Sequence, residues 1–340
     1  EAELRELQAS RVVEWTRQRN ASAGATLERL QRAWAVAGAM PDAMAPSREE
    51  WEWGLAVAWS RSFGMPLASG GGTAPVLAPV SGMFNGAAYP ARLVQRLHAA
   101  GELAFPPDAP FEAPPPALVS SLRRLESNAA ALFDPRADAF VVTSAADAAA
   151  GAELLLLYGE GKAAAQFAMD YGFAHAEVSG LPRLDSSVAL LSTRRLIEHW
   201  RAASGANEAA AAAAATRLRA LGGADELGGA DELPVPLAAA LGATAEWARL
   251  LAAARAVCAP CGAAEAAALL GSFGGAQLRR YATSAGADAR ELAVGALRPR
   301  RRAALAVRLS EKRCLEGLVR TAAQQAAGAV GGAEVGHDEL

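Results

Sequence analysis

Two tyrosines placed thirteen residues apart, Tyr158 and Tyr171, are the residues of this chain best suited to chemistry. The first follows the apolar run Leu154–Leu157, and the second is followed closely by Phe173. Two phenols and a phenyl ring at one strand end make a narrow aromatic slot, and aromatic ring faces attract cations. The pattern favours a site for a cationic ligand or a lysine side chain, with ordinary core and turn aromatics as the alternative.

Such a slot depends on a strand that ends at Tyr158 and on a short helix that returns the chain to it. Leu154–Leu157 are apolar and are bounded by turn residues, which is typical of a buried strand. The alanine-rich stretch Lys162–Met169 predicts one or two helical turns, because alanine has the highest helix propensity. We expect this helix to bring the second tyrosine ring back beside the first.

Two further polar residues precede the slot in the sequence. Ser47 and Glu50 form the capping-box pattern that starts a helix, and we expect a tryptophan-rich helix from there that ends at Ser60–Phe63 and carries Arg61 near its end. Asn85 follows a predicted short strand, Val76–Val80. Without a ligand nearby, Arg61 is interpreted as a helix-end cation and Asn85 as a turn residue.

The second half of the chain is predicted to be helical from about Val188 onward. A six-residue duplication over 222–233 is rich in glycine and indicates a loop insertion rather than a repeat fold. The expected domains are 1–180 and 188–330, followed by a tail over 331–340. Helices are expected over Ser192–Arg201, over Ala209–Leu221, from beyond Pro234 and Pro236 to Arg255, and over Leu305–Ala323.

The order of these segments resembles the SET-domain protein-lysine methyltransferases of the Rubisco large-subunit methyltransferase type. Near the C-terminus, Tyr281–Asp288 and Arg308–Leu315 resemble the signature of that family's helical substrate-binding domain. The resemblance runs from about Leu27 to about Gln325. It implies an α+β fold, in which a SET-type core of short mixed β-strands with a helical insert is followed by an all-α C-terminal domain.

The same resemblance implies methyl transfer from S-adenosylmethionine to a lysine of a protein substrate. It gives Tyr158 the position of the catalytic tyrosine and Tyr171 that of a tyrosine that hydrogen-bonds the target lysine. Phe173 falls on a ring that packs against the cofactor, and Arg61 and Asn85 fall on cofactor-contacting positions. An asparagine suits this work because its amide both donates and accepts hydrogen bonds.

Several positions depart from the family pattern. Gly82 and Gly86 stand where the family usually has an aspartate and a histidine, and Ala163 and Ala164 stand where it often has Ser-Asn. The family's glycine-rich cofactor loop would precede Glu1, so we expect an N-terminally truncated or degenerate member. The second hypothesis is therefore a catalytically inactive SET-like scaffold that binds a partner through its helical domain. A helical adaptor with a vestigial SET resemblance is the third.

Composition narrows the expected partners. The net charge is −3, which does not predict nucleic-acid binding through a broad basic surface. No apolar run reaches 18 residues, so we expect no membrane span, and we expect a monomer. His337–Leu340 match an endoplasmic-reticulum retention signal. We favour coincidence, because Asp-Glu-Leu also occurs twice within the chain and the resemblance points to plastid, cytosolic or nuclear substrates.

The remaining reactive residue types predict no further site. Cys258 and Cys261 have the spacing of a redox motif, but they lie in an alanine-rich helical region without a second cysteine pair. Cys314 is interpreted as a core residue, and Arg298–Arg302 as a solvated helix start that could contact an acidic substrate. No metal or nucleophilic constellation can be assembled from the scattered histidines His98, His175 and His199.

Overall fold

The structure is a computed structural model that describes residues 2–38, 45–66, 73–77, 85–90, 92–101, 116–134, 136–137, 139–145, 147–158, 162–181, 184–185, 188–221, 232–236, 245–294 and 296–331. Its helices are α1 Ala2–Arg5, α2 Val12–Ala37, α3 Arg48–Arg61, α4 Leu93–Ala99, α5 Pro116–Arg123, α6 Ala164–Tyr171, α7 Thr193–Ser204, α8 Glu208–Leu221, α9 Ala245–Cys258, α10 Ala263–Leu278, α11 Ala285–Ala293 and α12 Pro299–Gly331. Its strands are β1 Ser62–Pro66, β2 Thr73–Leu77, β3 Asn85–Ala87, β4 Ala129–Asp134, β5 Ala139–Ser144, β6 Leu155–Leu157, β7 Val188–Ser192 and β8 Glu232–Pro236.

A four-stranded mixed sheet with the order β3-β6-β4-β5 forms the centre of the first half. Strand β6 runs parallel to both β3 and β4, whereas β4 and β5 pair antiparallel. Strands β1 and β2 form a separate antiparallel pair. Short mixed strands combined with many helices confirm the predicted α+β class.

Helix α3 begins where its capping box predicts. The Ser47 hydroxyl accepts a hydrogen bond from the Glu50 amide at 3.2 Å, and the Glu50 carboxylate accepts one from the Ser47 amide at 2.8 Å. The hydrogen bonds that the Glu50 carboxylate accepts from the Ser47 amide and from the Ser47 hydroxyl favour its ionised form and therefore lower the pKa of Glu50. The strand predicted over Val76–Val80 is displaced, since β2 covers Thr73–Leu77; residues 78–80 lie outside the described part of the chain.

The second half is mainly helical, as predicted, but its described residues also include two strands that the sequence analysis did not predict. Strands β7 and β8 form an antiparallel pair, in which Leu190 lies opposite Pro234 and Val188 opposite Pro236. In this two-stranded sheet β8 is an edge strand, and edge strands are where proline is tolerated because a missing N–H need not interrupt the ladder. The predicted helices near 192–201, 209–221 and 305–323 are all present with shifted bounds.

The long helix α12 carries a buried ionic network. Asp288 of α11 accepts two hydrogen bonds from Arg308, at 2.6 and 3.2 Å, and one from Lys312 at 2.5 Å. Relative exposures of 0% for Asp288, 0% for Arg308 and 1% for Lys312 place all three side chains in the interior. One carboxylate thus compensates two buried cations.

The same turn of α12 also holds the N-terminal helices. Glu311 accepts hydrogen bonds from the Ser10 hydroxyl at 2.8 Å and from the Tyr281 hydroxyl at 2.7 Å. Arg308 donates a further bond to the backbone carbonyl of Glu6 at 2.7 Å. Burial raises the pKa of Glu311 to about 7, although the hydrogen bonds from Tyr281 and Ser10 and the charge of Lys312 oppose the shift.

The arginines at the start of α12 are more than a solvated helix start. Arg301 makes a bidentate ion pair with Glu291, at 2.8 and 3.0 Å, and also pairs with Glu6. Arg302 pairs with Glu177 at 2.5 Å. These arginines therefore join α12 to the turn that follows α1, to α11 and to the segment after α6.

Cys258 and Cys261 are joined by a disulfide in the turn between α9 and α10, and Cys314 is buried, as expected of a core residue.

Within the described ranges, no single helix has the length and apolarity to cross a membrane. Of the helices in the described part of the chain, α9 and α10 meet that criterion as a pair, by length and composition, and they are bent by 97° at the break between them.

Replacing the central carboxylate should strongly destabilise the fold. Asp288→Ala leaves Arg308 and Lys312 buried without their shared partner, and removing one member of a buried ion pair costs about 3–5 kcal/mol. Urea unfolding monitored by circular dichroism measures the change. The exposed Asp147→Ala variant is the matched control and should lie within about 0.5 kcal/mol of the parent. An equally small loss for Asp288→Ala would contradict the proposed role of the network.

The raised pKa of Glu311 makes stability depend on pH in a defined direction. The folded state holds the Glu311 proton more tightly than the unfolded state, so this contribution is complete below about pH 4.5 and is lost as the pH rises through about 7. Glu311→Gln imitates the protonated acid and removes the titration. Between pH 5 and 8 the parent should lose about 2.5 kcal/mol of unfolding free energy relative to this variant. Urea titrations across this range test it, and a constant difference would refute it.

Candidate functional site

The two tyrosines lie against each other where β6 ends. Their ring centroids are 4.7 Å apart with a tilt of 40°, and the Tyr171 hydroxyl donates to the backbone carbonyl of Tyr158 at 3.2 Å. Helix α6 returns the chain over this short distance. Its C-cap, Gly172, adopts a left-handed φ of 77°, which ends the helix directly after Tyr171 and redirects the chain toward Phe173.

Phe173 belongs to a larger aromatic cluster beside the tyrosines. Its ring centroid lies 6.0 Å from that of Tyr171 and 5.8 Å from that of Phe167, which is buried on α6. His175 packs edge-on against Phe167 at 4.9 Å and against Phe173 at 5.2 Å. The structure therefore groups Phe173 with Tyr158 and Tyr171, as the slot requires.

His175 is a site residue that the sequence pattern did not single out. Its Nε2 atom is buried and has no hydrogen-bond partner among the residues that the structure describes. Burial lowers the pKa of His175, partly offset by the charge of Glu177, so the imidazole is neutral near pH 7. A buried ring nitrogen without a partner costs about 1–3 kcal/mol, a cost that a bound hydrogen-bonding ligand removes.

Arg61 contacts the hydroxyl of Tyr158. Burial raises the pKa of Tyr158, while the charge of Arg61 and its hydrogen bond to the phenol lower it in part. The net shift keeps Tyr158 protonated at neutral pH. Arg61 thus lies within the site, at the end of α3 where its position was predicted, and it is more than a helix-end cation.

Gly86 on β3 lies directly beneath the Tyr158 ring. A Cβ atom at this position would lie 2.7 Å from the nearest ring carbon, which is closer than packed side chains allow. The ring of Tyr158 therefore occupies the space in which a larger residue at position 86 would begin. Gly86 stands where the family usually has a histidine, and the absence of a side chain at this position leaves the space that the Tyr158 ring fills.

Asn85 stands next to Gly86 at the start of β3, but its side chain is engaged at the exposed edge of the sheet. Its amide donates to the carboxylate of Glu153 at 2.5 Å. A second asparagine, Asn128, holds the start of the neighbouring strand β6. Its side chain accepts a hydrogen bond from the Leu155 amide at 2.7 Å and donates one to the Glu153 carbonyl at 2.8 Å. Neither Glu153 nor Asn128 was identified from the sequence, because both partners are distant along the chain.

Lys162 is the second site residue that the sequence analysis missed. Its ammonium donates to the Tyr171 hydroxyl at 2.7 Å, lies 4.5 Å from the centroid of that ring and pairs with Asp170 at 3.3 Å. Asp170 also pairs with Arg19 of α2 at 3.0 Å. A sequence signal existed: the chain contains two lysines, Lys162 and Lys312, and one of them immediately precedes the helix between the tyrosines.

Gly82, the other glycine that departs from the family pattern, lies outside the described residues, as does the C-terminal tetrapeptide. Across the described ranges, no group of three or more histidine, cysteine, aspartate or glutamate side chains is arranged to hold a metal ion.

Comparison with known proteins identifies the fold through structure alone. No protein-family model matches the chain, and no curated protein sequence matches it. The SET domain of LSMT bound to lysine and AdoHcy matches with a TM-score of 0.56 at 16% identity, over 99% of this chain and 72% of that chain. Rubisco LSMT bound to AdoMet matches with a TM-score of 0.53 at 16% identity, over 100% and 71% of the two chains.

A further match is Rubisco LSMT bound to sinefungin and monomethyllysine, with a TM-score of 0.53 at 16% identity, over 99% of this chain and 72% of that chain. These likenesses extend over nearly the whole of the present chain. The SET-type fold that the sequence resemblance implied is confirmed.

Exchange of Gly86 for alanine should displace the Tyr158 ring. The added methyl group meets the ring close to its attachment point, so the whole side chain has to move, and overpacking of this kind costs about 1–3 kcal/mol. Near-UV circular dichroism and urea unfolding report the change. Gly54→Ala, on α3 with open space around it, is the control and should be neutral or stabilising. An unchanged tyrosine signal in Gly86→Ala would contradict the close contact.

Proposed function

We propose that this chain, which has the fold of the Rubisco LSMT SET-domain structures, is an S-adenosylmethionine-dependent protein-lysine N-methyltransferase. The observation that carries the proposal is the pair of tyrosine rings 4.7 Å apart, with Arg61 on one hydroxyl and a lysine ammonium on the other. The neighbours are structures bound to lysine or monomethyllysine and to AdoHcy or sinefungin. A slot with these groups suits the same class of ligand.

The phenols hold and orient the substrate amine. The Tyr171 oxygen accepts a hydrogen bond from a lysine ammonium in the present structure, so a substrate lysine can make the same contact. Tyr158 stays protonated because burial raises its pKa. Its oxygen therefore offers a dipole rather than a full negative charge to a cationic methyl-bearing group. Alignment of the two reacting groups and exclusion of water are the main requirements of such a displacement.

The residues present fit a bound S-adenosylmethionine beside the slot. Phe173 offers a ring surface, and the buried Nε2 of His175 lacks a hydrogen-bond partner among the described residues. Asn85 and Arg61 complete the group of residues proposed to hold the cofactor. When bound, S-adenosylmethionine supplies an electrophilic methyl group on a sulfonium. The protein substrate is proposed to dock on the helical region over 188–330.

A catalytically inactive scaffold remains the second candidate because of one contact. The Asn85 amide is taken by the Glu153 carboxylate, so the group proposed to contact the cofactor already has a partner. If that pairing prevents cofactor binding, we propose that the chain binds a protein partner through its helical region without performing chemistry.

Two measurements separate these candidates. Calorimetric titration with S-adenosylmethionine should give saturable binding to the parent chain. A folded chain that does not bind the cofactor favours the scaffold.

Tyr158→Phe should then reduce methyl transfer at least about 100-fold, because the hydroxyl that orients the amine is lost while the ring stays packed on Gly86. Transfer of a tritiated methyl group to free lysine and to a lysine-rich protein measures the rate. Tyr89→Phe makes the same chemical change in a separate core cluster and should retain activity. An undiminished rate for Tyr158→Phe would remove this tyrosine from its proposed role.

A further inference from the structure

Lysine is rare in this chain, and both lysines are placed against tyrosines. Of the 33 lysine and arginine residues, two are lysines. Lys312 lies 5.0 Å from the Tyr281 ring centroid in the interior, where it belongs to the ionic network of α12. Lys162 lies 4.5 Å from the ring of Tyr171, and its side chain is 26% exposed. The chain thus retains one accessible lysine, at the mouth of the slot.

The contacts of Lys162 are those that a substrate amine would make. Its ammonium lies over the ring of Tyr171 and donates to the hydroxyl at 2.7 Å. Ring face and phenol oxygen together are what the slot offers to a lysine, since both favour a cation or an amine donor.

We propose that Lys162 is an internal occupant of the amine position, so that a lysine ligand has to displace its ammonium from Tyr171 in order to bind. The proposal rests on the proposed function, because that function defines where the amine binds. Two cations repel each other at such short distances. A lysine ligand therefore binds only when its other contacts with the protein are strong enough to displace Lys162.

Asp170 makes this displacement reversible. Its carboxylate pairs with the Lys162 ammonium at 3.3 Å independently of the bond to Tyr171. When the bond to Tyr171 is broken, Lys162 keeps a counter-charge beside the slot. Arg19 holds the same carboxylate at 3.0 Å from the opposite element, α2, and so fixes the position to which Lys162 withdraws.

The first test measures occupancy without any ligand. Amine acylation followed by peptide mass spectrometry reads Lys162 separately, because Lys312 is buried and the chain has no third lysine. Tyr171→Phe keeps the ring and removes the hydroxyl, so the acylation rate of Lys162 should rise by about threefold or more. Tyr89→Phe, the control, should leave it unchanged. Equal rates in the parent and in Tyr171→Phe would overturn the proposal.

The second test measures competition. The full chain, saturated with S-adenosylhomocysteine, is titrated calorimetrically with Nα-acetyl-lysine methylamide. Lys162→Met keeps the length of the side chain and removes its charge, so the ligand should bind about fivefold tighter or more. Arg19→Met removes a cation from the same Asp170 carboxylate but not from Tyr171, and should not tighten binding. Unchanged or weaker binding to Lys162→Met overturns the proposal.

The outcomes distinguish the two proposals. If S-adenosylhomocysteine and the lysine ligand both bind, but Lys162→Met binds no tighter, Lys162 is not the occupant and the proposed function stands. If neither ligand binds to any folded variant, the proposed function fails. In that case faster acylation of Lys162 in Tyr171→Phe still supports its contact with Tyr171, and equal rates reject that contact as well.

Discussion

The buried carboxylate of Asp288 is the interaction on which the arrangement of the molecule depends. It compensates Arg308 and Lys312, which lie one turn apart on α12, and neither cation has access to water. Buried ion pairs contribute little net stability, because desolvation offsets their attraction, but any arrangement that separates them is strongly disfavoured. The network therefore fixes the rotation of α12 relative to α11 more than it adds to the free energy of folding.

The position of the slot follows from the position of α12. Ala304 and Val307 on α12 pack in one cluster with Ala164 and Ala165 of α6, together with Leu7 and Val12 from the N-terminal segment. Small side chains allow α6 to lie close to α12, and α6 carries Tyr171 at its end. Alanine at position 164, which departs from the Ser-Asn of the family pattern, is buried here, where a polar side chain would need a hydrogen-bond partner.

Local patterns in the sequence predicted local structure well. The capping box located the start of α3, and the apolar run with its alanine-rich continuation located β6 and α6. Sequence patterns did not predict the strands whose pairing partners are distant along the chain. The sequence analysis interpreted Pro234 and Pro236 as residues that precede a helix. They lie instead in β8, and its pairing partner β7 is forty or more residues earlier in the chain, so local sequence did not reveal the strand.

The residues of the candidate site also fall into two groups: those whose proximity the sequence predicted and those whose contacts are distant along the chain. Tyr158, Tyr171 and Phe173 follow from one contiguous segment, so their proximity was predictable from the spacing. Glu153 could not be assigned to Asn85, because 68 residues separate them. The contact between Gly86 and the Tyr158 ring also joins residues that are distant along the chain, so the sequence did not predict it. This contact gives a physical reason for a glycine at a position where the family usually has a histidine. The catalytic and cofactor roles of these residues stay predictions.

The charges around the two tyrosines bear on the amine that the proposed function places there. Arg61 donates to the Tyr158 hydroxyl and Lys162 to the Tyr171 hydroxyl, so each phenol has a cation beside it. Nearby positive charge disfavours the protonated form of an incoming amine and lowers its pKa. Only the neutral amine has the lone pair that attacks a methyl group. Under the proposed function, the positive charges of Arg61 and of the displaced Lys162 therefore favour the neutral form of lysine that methyl transfer requires.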